Sequence, residues 1–138
     1  MIQVISTLDW LSVLLAFVVY FVLGALWFTL FFKKIYFLSL GKENEPQQKP
    51  ALLFIIGPAF CSLVITMATA LLLYALGIHT YAGAIELALL VGLGYLFANT
   101  VNIAINPNIP RPILYGMISG FYHLVGIVLV CIILVAMK

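Results

Sequence analysis

Residues 113–137 read ILYGMISGFYHLVGIVLVCIILVAM and contain no Asp, Glu, Lys or Arg. An uncharged apolar stretch of about 18 residues or more is long enough to cross the hydrocarbon of a bilayer as one α-helix. Three other stretches share this character. The first, 8–32, opens at Asp9-Trp10 and closes at Lys33-Lys34; the second, 51–76, opens after Pro50 and closes at Gly77. The third, 82–105, stops at the turn from Asn106 to Pro112, where Pro107, Pro110 and Pro112 forbid a continuing helix. Pro at a helix start and Gly just past its end are the usual punctuation. Strands of a membrane barrel alternate apolar and polar residues, and these runs do not. The sequence therefore predicts an all-α fold, a polytopic membrane protein built as a bundle of four transmembrane helices.

Composition points the same way. The chain of 138 residues is 66% hydrophobic and 7% charged, whereas soluble domains carry roughly 25% charged residues. Mean hydropathy is +1.28. So few charged side chains cannot cover a water-facing surface, so membrane lipid is the expected partner of the outside. The net charge of +2 is too small and too local to suggest nucleic-acid binding. The length suits one transmembrane domain, 1–138. Cys61 and Cys131 both fall in apolar runs and read as free, packed thiols. No Lys or Arg precedes Lys33, and the first apolar run is long enough to span, so a cleaved signal peptide is not expected.

The one sizeable polar stretch, 33–50, is a connecting loop, with a short interfacial helix expected at Ile35–Leu40. Segments two and three are joined by a tight turn at 77–81 and should be antiparallel neighbours. Four crossings put the 33–50 and 106–112 loops on one side and both termini on the other. The loop side holds Lys33, Lys34, Lys42, Lys49 and Arg111, and the terminal side only Lys138 and the N-terminal amine. The positive-inside rule then places the loops in the cytoplasm of a bacterium and both termini outside its inner membrane. Pro58, inside segment two, should kink that helix near Phe54–Gly57.

Polar side chains inside a spanning helix are costly, so each needs a reason. His123 lies ~15 Å along segment four, near the bilayer midplane. Its imidazole is either packing glue bonded to a neighbouring helix or part of a proton relay or ligand site. Gly116 and Gly120 have the spacing that lets another backbone approach closely, and Ser119 lies between them. Asn99 and Asn102 share one face of segment three with Ala88, Gly92, Tyr95 and Asn106 at regular helical spacing. Trp27 lies at a similar depth in segment one, with Gly24 one turn deeper. A binding or conduction site of Trp27, Asn99, Asn102, Ser119 and His123 is the sharp expectation, and plain interhelical hydrogen bonding is the bland one. Gly24, Gly92, Gly116 and Gly120 are the expected packing positions. Glu86 is the only acid well inside a segment; it is either a wetted residue near a helix N-terminus or a second proton site beside His123.

Familiar catalytic and cofactor patterns are missing from the sequence: there is no HExxH, CxxC, phosphate loop or GxSxG. No metal or cofactor is expected, and no catalytic residue is assigned. A membrane enzyme would have to rest on Glu86 or His123 with a lipid substrate. Small multidrug exporters of this size carry a glutamate within helix one, where this chain has only Asp9 at the edge.

Several motifs occur in order along the chain. Asp9-Trp10-Leu11 opens segment one, and Gly24-Ala25-Leu26-Trp27-Phe28 follows. Pro110-Arg111-Pro112 follows the Asn-bearing segment, and segment four carries Tyr122-His123-Leu124. In these features the chain resembles the bacterial membrane proteins of domain of unknown function 1761 (DUF1761). That family often has Ser-Pro where this chain has Thr29-Leu30. The resemblance implies a small four-helix integral membrane protein and no particular activity. The residues themselves favour a non-enzymatic homo-oligomer that moves a small solute or ion through a polar site. The alternative is an assembly partner of another membrane protein, packing through small-residue helix faces.

Overall fold

Asp9 starts the first helix, its carboxylate accepting from the backbone N–H groups of Leu11 at 3.1 Å and Ser12 at 3.3 Å. The computed structural model describes residues 2–46 and 49–138, so Gln47 and Gln48 of the connecting loop lie outside the described residues. The helices are α1 (Trp10–Leu26), α2 (Lys33–Ser39), α3 (Leu53–Ala75), α4 (Tyr81–Val91), α5 (Ala98–Ala104) and α6 (Pro112–Ala136). A π-turn at Trp27–Phe31 extends α1, and a second at Gly92–Phe97 joins α4 to α5. Among the described residues this makes four spans long and apolar enough to cross a membrane: Trp10–Phe31, Leu53–Ala75, Tyr81–Ala104 and Pro112–Ala136. Each lies within two residues of its expected bounds, and the short helix at the start of the 33–50 loop is α2.

The turns between spans are built from the residues that mark them. Gly77 (φ 64°) adopts the left-handed conformation that side chains disfavour. Ile78 N–H then reaches Leu73 O at 3.0 Å and Gly77 N–H reaches Tyr74 O at 3.1 Å, closing span two in a Schellman motif. Thr80 caps span three through a bond from Gly83 N–H to its hydroxyl at 3.2 Å. On the opposite end, Arg111 is a tie. Its guanidinium donates to Leu38 O and lies 3.7 Å from Glu43, and its backbone N–H donates to Ser39 O at 3.2 Å. A cation on the last carbonyls of α2 is favoured by the helix dipole. Arg111 thus fastens α2 to the Pro-rich turn. Pro112, at the first turn of α6, needs no backbone hydrogen-bond donor there.

Span four is the hub. Half of its most apolar window (50%) is buried, against 17%, 22% and 22% for spans one, two and three. Lipid offers no hydrophobic drive for helix association, so close packing must hold the bundle. Glycines supply it. A Cβ on Gly116 would stand 3.2 Å from the Val101 backbone, and one on Gly120 2.7 Å from the Phe97 ring. A Cβ on Gly92 would meet Leu124 and Ile127 at 2.8 Å, and one on Gly24 would stand 2.8 Å from Tyr122 Oη. All four expected packing glycines therefore make contacts inside this chain.

Candidate functional site: a cavity ending on His123

Spans one and two part on the loop side. Span one has no buried residue from Phe21 to Phe31, and span two none from Leu53 to Cys61. The gap is a cavity of about 750 Å³, bounded also by the loop-side part of span three and by span four. Tyr36 and Pro50 stand at its outer end, and Tyr20, Ile65 and His123 at its inner end. Tyr20 lies ~15 Å from the start of α1, and His123 ~16 Å from the start of α6, so the two meet near mid-span.

Their meeting depends on Gly126. The Tyr20 ring occupies the space that a Cβ at that position would need. Seated there, Tyr20 places Oη 2.5 Å from His123 Nδ1. Tyr122 completes an aromatic cluster, its ring centroid 5.3 Å from that of Tyr20 and 4.7 Å from that of His123. The direction of the Tyr20–His123 bond depends on the imidazole tautomer. Either direction leaves Nε2 the complementary role, as donor or acceptor. No hydrogen bond to Nε2 is seen among the described residues.

Ser119 lies one helical turn from His123 on span four and also lines the cavity. Other buried hydroxyls bond to backbone carbonyls: Ser12 to Asp9 at 2.7 Å, Ser62 to Pro58 at 2.9 Å, Thr66 to Ser62 and Thr69 to Ile65 at 2.8 Å. Ser119 is 6% exposed, and its Oγ has no partner among the described residues. An unpaired buried hydroxyl costs about 1–3 kcal/mol, and such groups in native structures call for an explanation.

At the outer end, burial pushes the Tyr36 hydroxyl up to about 12, with Tyr115 adding to the shift. It is a neutral donor at ordinary pH. Among the described residues no Asp, Glu, Lys or Arg lines the cavity. Among the described residues no three His, Cys, Asp or Glu side chains gather closely enough to hold a metal ion.

The structure thus places two of the five expected site residues, Ser119 and His123, on the cavity and leaves the other three off its lining. Trp27 does not line the cavity. Its indole N–H donates to Ile118 O at 3.1 Å, a strut between spans one and four. Asn99 and Asn102 are exposed on the outside of span three, with no side-chain partner among the described residues. The π-turn at Gly92–Phe97 explains their place. A π-turn admits an extra residue, and each residue represents about 100° of helix rotation. Ala88 and Gly92, before or at the start of the turn, are buried, while Tyr95, Asn99 and Asn102 turn outward. Instead of the Asn pair, span three presents Thr100 and Ile103 to the cavity. Glu86 is exposed near the terminal end of span three, remote in depth from His123. The other π-turn, Trp27–Phe31, contains Thr29-Leu30.

Sequence reasoning passed over Tyr20 and the hydroxyl of Tyr122. The signal for Tyr20 was available. Tyr in membrane helices favours the interfaces, and one at mid-span, level with an intramembrane His, asks for a buried partner.

No curated protein and no solved structure matches the chain. A family model described as "Protein of unknown function (DUF1761)" matches residues 11–135, which hold all four spans except the first and last residues and every cavity residue named above. The chain therefore belongs to the DUF1761 family.

Proposed function

We propose that this protein is a non-enzymatic, membrane-embedded binding protein whose loop-side cavity holds a small uncharged molecule against Ser119 and His123. The observation that carries this reading is the buried, unpartnered Ser119 hydroxyl in a cavity of about 750 Å³. That size falls in the ~300–1,000 Å³ range of small-molecule sites, which are mostly apolar with a few placed polar groups. Carriage across the membrane is the extension of the same reading. It requires a second state in which the terminal half opens, because Leu73, Ile127, Val130 and Leu134 are fully buried there. The positive-inside bias supports a cavity facing the cytoplasm of a bacterial inner membrane, with both termini outside. A C-terminal alkaline phosphatase fusion should then be active, and an inactive one reverses the orientation.

Native mass spectrometry of protein extracted from its own membrane in mild detergent tests the binding reading. The wild-type chain should retain a small-molecule adduct that His123→Ala and Ser119→Ala lose while staying folded. Identical, adduct-free spectra for all three would remove it.

A second reading has its own observation. Asn99 and Asn102 carry unpaired amides on the outer face of span three, beside Gly94, around which a Cβ would meet nothing within 4 Å, and exposed Ala98. An amide is both donor and acceptor, so the same face of a second copy can satisfy it, and Gly94-x-x-x-Ala98 suits close helix approach. Self-association through span three should give a cross-linkable dimer that Gly94→Leu with Asn99→Leu abolishes. A monomer in both proteins contradicts it.

A further inference from the structure

Given the binding reading above, on which this rests, we infer that the cavity ligand is a phenol-type amphiphile: an uncharged flat ring bearing a hydroxyl, on an apolar tail, which enters sideways from the bilayer. Four observations converge on this class. The lining has no charged side chain, so an ionic headgroup would be desolvated without a counter-charge. The inner end is lined by Ser119, whose buried hydroxyl can donate and accept and has no partner among the described residues, and by His123, whose Nε2 can do one or the other. A ligand hydroxyl also does both, so it pairs with either tautomer. The walls are rich in rings, among them Phe28, Phe54, Tyr115 and Tyr122, and aromatic faces favour a flat partner.

The fourth observation is the route. Ala25, Thr29, Pro58 and Cys61 all line the cavity and are all exposed. Ala25 lies ~9 Å inside the end of span one, and Cys61 ~12 Å inside the start of span two. The mouth is thus at hydrocarbon depth, flanked by Leu53 and Phe54, which are 72% and 71% exposed. A molecule already dissolved in the bilayer reaches His123 without passing through water. Its hydroxyl, poorly satisfied among lipid tails, gains partners at Ser119 and His123.

The test uses 4-decylphenol as the probe, with decyl sulfate and decyltrimethylammonium as charged controls of equal tail, on the full chain in lipid nanodiscs. The phenol should bind one per chain and raise the melting temperature, and the charged controls should not. Ser119→Ala should bind it about tenfold more weakly, the scale of one hydrogen bond to a buried group. Ala25→Trp, at the mouth, should slow association. Equal effects of the charged amphiphiles, or wild-type affinity in folded Ser119→Ala, would overturn the inference. A wild-type chain that keeps a native adduct but ignores decylphenol sinks the ligand class and spares the binding reading. A chain that does neither sinks both.

Discussion

On the terminal side of Tyr20 and His123, each of the first three spans sends buried side chains toward span four: Val13 and Ala16, Ala70 and Leu73, Leu87 and Ala88. On the loop side, spans one and two contribute none up to Phe31 and from Leu53, and a cavity stands where a core would be. The two halves are cut from the same four helices and solvated by the same lipid, so helix formation does not distinguish them. Side-chain volume and close approach do. The terminal half fills its centre with Leu, Ile and Val packed on small residues. The loop half has large residues, but Leu53, Ile56 and Phe60 of span two are exposed and do not line the cavity. Span four contributes Tyr115, Ser119, Tyr122 and His123 to that cavity. The terminal half is thus closed across all four spans, whereas the loop half stays packed through Gly116 and Gly120 between spans three and four and opens as a cavity between spans one and two.

Substitutions matched across the two halves can break this contrast. The largest effect is expected at glycine. Gly126→Ala drives a Cβ into the Tyr20 ring, and overpacking of this kind costs about 1–3 kcal/mol. Gly57→Ala, on the cavity wall, meets nothing within 4 Å beyond its chain neighbours and should cost less than Gly126→Ala, the better helix propensity of Ala offsetting the crowding of its Cβ by the Pro58 ring. Thermal melts followed by size-exclusion chromatography measure both, and equal losses would erase the distinction. Next, Leu73→Ala in the sealed half should cost about 2–5 kcal/mol through the void it leaves. Phe54→Ala, at an exposed position, should stay within about 0.5 kcal/mol.

Smaller effects sharpen the boundary between the halves. Tyr20→Phe keeps the ring on Gly126 and removes the hydroxyl from His123. It should cost about 1–3 kcal/mol, because it leaves the imidazole short of a partner, and it should weaken any cavity ligand by displacing His123. A variant as stable as the wild type, with unchanged ligand affinity, would show that the pair holds nothing in place. The smallest effect concerns pH. Tyr36 holds its proton more tightly in the folded chain than in the unfolded one, up to about 12. Its contribution to stability is therefore complete below pH 10 and lost as pH rises from 10 toward 12. Tyr36→Phe should flatten that part of the alkaline denaturation curve, and an unchanged curve would place the hydroxyl in water.

The fold was legible because its limits are chemical. Lys33-Lys34, Pro50, Gly77 and the prolines of 107–112 each forbid or penalise a continuing apolar helix, and the spans end beside them. The site was legible only in part. His123 and Ser119 stood out as polar residues in span four. The Asn stripe was misplaced because hydrophobic periodicity assumes a constant rotation per residue, and no residue in Gly92–Phe97 announces a π-turn. The parting of spans one and two was also hidden. Both helices are apolar on all sides, so their composition cannot say which face meets protein and which meets lipid.

The native cysteines report on the contrast without any mutation. Cys61 is exposed on the cavity wall of the loop half, and Cys131 is fully buried in the terminal half. N-ethylmaleimide applied to the folded protein, read out by peptide mass spectrometry, should modify Cys61 and leave Cys131 untouched until the chain is denatured. Modification of Cys131 at the rate of Cys61, or protection of both thiols, would contradict an open loop half above a sealed terminal half.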